Sequence, residues 1–392
     1  MLQLKYMKRR LSTKKTLIIS ALVALVVAGL LVALYHLLPV SLMREDPSDP
    51  IERIEASDVE VRVVAENLEM PWAIDFGENG DIFFTERNGY VRLIRDDRLI
   101  EDPLLELPQV DGEGGTLGLA LGPDFTETGY VFIYYTDENY TNRLSRYRLQ
   151  NDRLVDETVI IDNIPGAFTH NGGRIAFGPD DLLYIGTGDA EEPDLSQDES
   201  SLAGKILRVA VDGSIPDANP YPDSPVYSIG HRNVQGLAWD SEGRLFATEH
   251  GPRARDEVNR IEPGANYGWP VVAGEVDTDE GASDPVPNYR NPFISSGSNT
   301  WAPSGATIYD REEMPVEWRE TLLFSGLRSQ ALWRYSFEDG SLSALFSDEY
   351  GRIRNVTTSP DGTIYLLTSN RDGRGSPADN DDRILQIIPI AD

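Results

Sequence analysis

Residues 228–269 read SIGHRNVQGLAWDSEGRLFATEHGPRARDEVNRIEPGANYGW, and their layout decides the fold. A polar cluster, His231-Arg232-Asn233, precedes a short apolar run at 236–239; a turn over 240–243 leads to a second run at 245–248, and Glu249-His250-Gly251-Pro252 follows. Short apolar runs split by Asp and Gly turns read as strands. In an antiparallel hairpin the start of the first strand and the end of the second share one end. Both polar clusters therefore face one another at one sheet edge.

The same layout recurs at 71–87, 115–137, 172–189, 304–328 and 353–370, giving six hairpins with 234–250. Further strand candidates follow at 142–149, 205–211, 331–337 and 383–389. From residue 60 on there is no sustained helical period. A repeat of about 40–60 residues with about four strands is the signature of a propeller blade. The expectation is an all-β, six-bladed β-propeller over residues 60–392. In such a fold the residues flanking each hairpin converge on one face of the central channel.

Those flanking positions hold Glu113 before the second hairpin, His170 before and Asp189 after the third, and His231, Arg232, Asn233, Gly251 and Pro252 around the fourth. Trp301 precedes and Arg328 follows the fifth; Arg352 and Arg354 flank the start of the sixth. Four converging arginines suggest a bound anion with several carboxylates or phosphates. His170 suits a general base, with Asp189 to hold its tautomer. His231 and His250 read as packing or capping residues. The segment after Pro252 carries Asp256, Glu257 and a Gly-rich turn at 264–268, oxygen donors of the kind Ca²⁺ takes. With no cysteine and no close histidine pair, zinc is not expected.

Formal net charge is −30; residues 1–44 carry four Lys, three Arg and no acid, so the remainder carries −37. Past residue 15 the sole lysine is Lys205. Phosphate would be repelled, which argues against a nucleic-acid partner. An acidic solvated surface of this kind is a halophile's device. Residues 16–38 form an apolar run long enough to span a bilayer, preceded by six cations. The expected organisation is a cytoplasmic basic segment at 1–15, a transmembrane signal anchor at 16–38, a linker at 39–59, and the propeller on the extracytoplasmic side. A cleaved, secreted form is the alternative.

At these residues the chain resembles the PQQ-dependent aldose sugar dehydrogenases, the group that includes soluble glucose dehydrogenase. The likeness runs from about Val63 to the C-terminus. It is carried by PWAIDF…TERNGYVRLI, GEGGTLGLALGPDF, H-x-GGRIAFGPD…GTGD, LAGKILR, GHRNVQGLAWD, EHGP…DEVN…GANYGWP and GRIR. It implies pyrroloquinoline quinone and Ca²⁺ as cofactors, an aldose as substrate and an external electron acceptor. His170 would take the proton of the anomeric hydroxyl, Asp189 would orient it, and Arg232 would stabilise charge developing on the quinone. Glu113, Asn233, Arg328, Arg352 and Arg354 would contact the cofactor, and Trp301 would line its pocket. The carbonyls of Gly251 and Pro252 would ligate the cofactor's Ca²⁺, while Glu257 and the Tyr267 carbonyl would belong to a second ion. The chain departs from the pattern at Glu113, where the family often has glutamine, and at Arg328, where the glucose enzymes have lysine. Ser298 stands where some of them carry an aromatic. Two rival functions share the fold: a calcium-dependent hydrolase such as a lactonase, and a propeller that binds without cofactor.

Overall fold

The computed structural model describes residues 52–274 and 288–390. The basic segment and the apolar run at 16–38 lie outside the described residues. Among the described residues no helix is long and apolar enough to cross a membrane.

Six sheets form six blades, and each expected hairpin is the inner pair of strands of one of them. The inner strands are Pro71–Phe76, Thr116–Leu121, Ile175–Phe177, Val234–Trp239, Pro303–Tyr309 and Ile353–Thr358. Neighbouring sheets touch around the ring, and the last inner strand meets the first. The chain is a six-bladed β-propeller. Backbone hydrogen bonds close it, because Val59–Ala65 pairs antiparallel with Ile384–Pro389 in the last blade. Closure of this kind ties the two ends of the ring together, leaving only short edges at the outside of the blades.

The N-terminal boundary differs from expectation. Glu52–Ile54 is a strand, paired in parallel with Leu342–Leu345 at the outer edge of the fifth blade. Residues 52–54 and 59, expected in the linker, therefore belong to the propeller, joined to it through ladder hydrogen bonds.

Inner strands read as continuous apolar runs because blades cover them on both faces. Every residue of Thr116–Leu121 is buried. Crowding near the channel also fixes a glycine: a Cβ on Gly236 would lie 2.4 Å from the Ser304 carbonyl oxygen of the next inner strand. Five of the six inner pairs shift register near the start of the inner strand, at 71–74, 116–119, 234–236, 303–306 and 353–355. Bulges re-aim side chains and end regular pairing. Here they fall at the end of the channel where the flanking polar clusters gather.

Candidate active site

His170 sits at the centre of a chain of polar contacts joining the third and fourth blades. Its Nδ1 lies 2.7 Å from Asp189 Oδ1, and its Nε2 lies 2.9 Å from Nη2 of Arg232. A guanidinium can only donate, so Nε2 must accept and the ring proton sits on Nδ1, facing the aspartate. This tautomer leaves the basic lone pair of Nε2 on the Arg232 side. Asp189 is fully buried, and its remaining lone pairs accept from the Glu191 N–H at 3.0 Å and from Trp269 Nε1 at 2.8 Å. Arg232 donates to the His250 carbonyl and stacks over the Trp269 ring, 5.4 Å from its centroid. Trp269 thus touches both partners of the histidine.

Beside this chain opens a cavity lined by Trp72, Arg87, Glu113, His250, Thr300, Ala302, Leu327, Arg328, Arg352, Arg354 and Arg374. Five of these are arginines and one is an acid, on a chain of net charge −30. Arg328 is exposed, and its guanidinium makes no hydrogen bond or ion pair among the described residues. Arg352 is fixed by Asp372 Oδ2, which accepts from Nε and Nη2 at 2.9 and 2.8 Å. Arg354 donates to Gln235 Oε1 and Ser304 Oγ. Its Nε is buried without a partner, and burial pushes its pKa down to about 9. Arg174 nearby shares this state: burial and the Arg354 charge push it to about 9, and its guanidinium lies 4.2 Å over Trp72. Uncompensated buried cations of this kind are costly unless an anion joins them.

Glu113 lies at the rim. Its Oε1 pairs with Arg374 Nη1, and its Oε2 accepts the His170 backbone N–H at 3.2 Å. Burial raises its pKa, but the charge and hydrogen bond of Arg374 outweigh this and leave it lowered to about 2. His250 is half-buried, its Nε2 is a buried atom with no partner among the described residues, and desolvation pushes its pKa down to about 3, so it is neutral.

Other expected residues are placed differently. Asn233 spends its oxygen inside the protein, accepting from the Gly172 N–H and Gln235 Nε2. Trp301 is buried against Trp333 and Phe324 and does not line the cavity, although its neighbours Thr300 and Ala302 do. Its backbone N–H donates to Asp256 Oδ2, and Asp256 Oδ1 accepts from the Gly251 N–H, which fixes the turn between the two. That turn is so tight that a Cβ on Gly251 would lie 2.2 Å from the carbonyl oxygens of Ala254 and Arg255. The carbonyls of Gly251 and Pro252 accept no backbone N–H among the described residues. Glu257 is buried, accepts from Gly274 and Asn259, and is raised to about 8 by burial and then by the Glu249 charge. Tyr267 stacks on His231 at 4.8 Å and donates its hydroxyl to the Arg260 carbonyl.

His231 is a structural residue, fully buried between Glu249 Oε2 and Ser228 Oγ. His250 is not a mere cap, since it faces the cavity with a free nitrogen. Arg87, Arg374 and Trp269 were not among the expected site residues. Arg87 ends the first hairpin, in the slot that Asp189 fills in the third, so the repeat itself could have found it. Arg374 and Trp269 lie in loops whose spacing to the hairpins follows no rule. Another hollow, lined by Glu78, Asp81, Arg95 and Phe125 among others, has its cation bound to Asp81 and Asp152.

With this geometry in hand, a profile of the glucose/sorbosone dehydrogenase family matches residues 68–379. The chain belongs to this family. Among its solved structures, the PQQ-bound aldose sugar dehydrogenase of Streptomyces coelicolor matches with a TM-score of 0.74 and 38% identity, over 84% of this chain and 98% of that one. The aldose sugar dehydrogenase YliI of Escherichia coli is 30% identical over 345 residues, covering 80% of this chain and 91% of its own. Quinoprotein glucose dehydrogenase B of Acinetobacter calcoaceticus is 27% identical over 439 residues, 86% and 91% of the two chains. The glucose/sorbosone dehydrogenase family is one of oxidoreductases, and this chain is a member along nearly its whole propeller.

Proposed function

We propose that this family member oxidises aldose sugars at the anomeric carbon to the lactone, using pyrroloquinoline quinone and Ca²⁺, and passes the electrons to an external acceptor. One observation carries the reading: five arginines line a cavity that opens beside the His170–Asp189–Arg232 chain. The residues present fit a polyanionic quinone. Among the described residues, the buried Nε atoms of Arg232 and Arg354 and Nε2 of His250 have no partner, and the exposed Arg328 guanidinium makes no hydrogen bond or ion pair that would keep it from a carboxylate. The carbonyls of Gly251 and Pro252 offer hard oxygen ligands to Ca²⁺, and the Glu257 carboxylate with the Tyr267 carbonyl offers them to a second ion. When bound, the quinone supplies the two-electron acceptor that no side chain can provide.

The protein's part is proton transfer and electrostatics. His170 takes the hydroxyl proton at Nε2, the nitrogen its tautomer leaves basic, once the substrate hydroxyl displaces the Arg232 N–H that this lone pair accepts in the structure. Asp189 stabilises the imidazolium that results, as a buried anion 2.7 Å from Nδ1. Arg232 supplies a fixed positive charge next to the reacting atoms, oriented before reaction by His250 and Trp269. Asn233 orders the Gly172 turn that follows His170. Arg328, Arg352 and Arg354 would hold the cofactor's carboxylates, and Trp301 supports the loop beside it.

The lactonase rival needs carboxylates clustered about one metal, whereas the lining here is cationic. Adding PQQ and Ca²⁺ to the purified full chain with aldoses and a dye acceptor tests the reading. Dye reduction that disappears in His170→Ala is expected; lactone hydrolysis without quinone would replace it with the rival. We propose further that the run at 16–38 anchors the chain with its propeller outside the cytoplasm, supported by the apolar length and the cations before it. Recovery of the intact chain in the soluble cytoplasmic fraction would overturn that placement.

A further inference from the structure

Among the described residues, Glu113 is the one carboxylate lining a cavity otherwise built for anions. Left alone, it would oppose a ligand bearing several carboxylates. It is not left alone. Arg374, 261 residues further along the chain, brings Nη1 to 2.5 Å from Glu113 Oε1. Arg87, Arg328, Arg352 and Arg354 also line the cavity, but none forms an ion pair with Glu113 among the described residues. The second carboxylate oxygen accepts the His170 N–H. His170 has a φ of 59°, a left-handed conformation that a non-glycine residue keeps only when neighbours hold it. Glu113 thus anchors the backbone of the proposed base with one oxygen and needs its charge cancelled at the other. The Arg374 side chain is 59% exposed and that of Glu113 25%, so the pair stands at the rim, with the arginine outermost.

Building on the functional reading above, we propose that Arg374 is a cofactor-binding determinant that acts through Glu113, neutralising the one carboxylate at the mouth so that the tricarboxylate quinone can enter. Its contribution is conditional: it matters because position 113 carries a charge. Glutamine at 113 would keep the acceptor for the His170 N–H while dropping that charge, which makes the condition testable.

The test is a double-mutant cycle on PQQ affinity, read by tryptophan fluorescence quenching of the full chain with Ca²⁺ present. In the wild-type background, Arg374→Ala should weaken PQQ binding about 10-fold or more. In the Glu113→Gln background the same change should cost less than about 3-fold. Arg374→Gln, which keeps much of the side-chain stem, should repeat both results. Equal losses in the two backgrounds would overturn the proposal by showing that Arg374 acts without Glu113, and so would no loss in either. A wild-type chain that binds no PQQ would overturn the functional reading itself, and the wild-type titration separates that failure from this one.

Discussion

Replacing Trp269 by phenylalanine isolates one hydrogen bond in the proton-transfer chain. The indole Nε1–H donates to Asp189 Oδ2 at 2.8 Å, and the ring carries the Arg232 guanidinium 5.4 Å from its centroid. Phenylalanine keeps an aromatic face under Arg232 and removes the donor. Asp189 is fully buried, so no bulk water stands ready to replace the lost bond. A hydrogen bond to a charged group contributes about 1.5–3 kcal/mol. With that stabilisation felt where His170 becomes cationic, each 1.36 kcal/mol is tenfold in rate, and kcat should fall about 10- to 150-fold. Because the donor touches neither substrate nor the arginine-lined cavity, PQQ affinity should change less than about threefold, within the range of an indirect contact. Trp269→Ala, which also removes the stack, should lower kcat further. Steady-state kinetics of the reconstituted enzyme, paired with a PQQ titration, measures both. A Trp269→Phe enzyme with wild-type kcat would refute the claim that this indole holds Asp189 in its working state. A loss confined to PQQ affinity would refute it as well.

Three other expectations concern charge. Arg354→Gln should weaken PQQ binding by about 100-fold, as loss of a buried charged contact does, yet leave the cofactor-free protein as stable or more so. The guanidinium there is buried with an unpartnered Nε, and calorimetry with and without PQQ should show opposite effects. Asp372 is held below its usual pKa: burial raises it, but the Arg352 charge and hydrogen bond more than offset that. Its folded pKa is depressed, so its contribution is present above the ordinary carboxylate range and is lost as pH falls through the lower folded value. Asp372→Asn should therefore cost about 3 kcal/mol at pH 7, where it strands buried Arg352, and its melting curve should approach wild type in strong acid. The −30 net charge predicts that the melting temperature rises between about 0.1 M and 2 M salt as self-repulsion is screened; a flat or falling profile would contradict the halophilic reading.

Blade number and order were legible because the hairpin is a local pattern repeated six times, with turn residues between strands buried on both faces. The contacts of His170, Asp189 and Arg232 could be anticipated from the same repeat, since each occupies a slot beside a hairpin. Arg374 and Trp269 could not. They reach the site from loops with no strand register to fix their spacing: packing of adjacent blades brings Trp269 to Asp189, and closure of the ring brings Arg374 to Glu113. At Trp301 the hairpin slot was legible but the packing was not: its large apolar ring lies against Phe324 and Trp333, and its neighbours Thr300 and Ala302 line the cavity instead. The strand Glu52–Ile54 was invisible because it pairs in parallel with a partner about 290 residues away, a contact that no local pattern announces.

The arginine-lined cavity beside His170 is the proposed seat of a polyanionic quinone, and a crystal structure of the full chain grown with PQQ and Ca²⁺ would show whether the ring lies there. It should show the tricyclic ring between Arg328, Arg352 and Arg354, within reach of His170 Nε2, with a metal at the carbonyls of Gly251 and Pro252. An ordered quinone elsewhere on the propeller, or this cavity left to water at saturating PQQ, would contradict it.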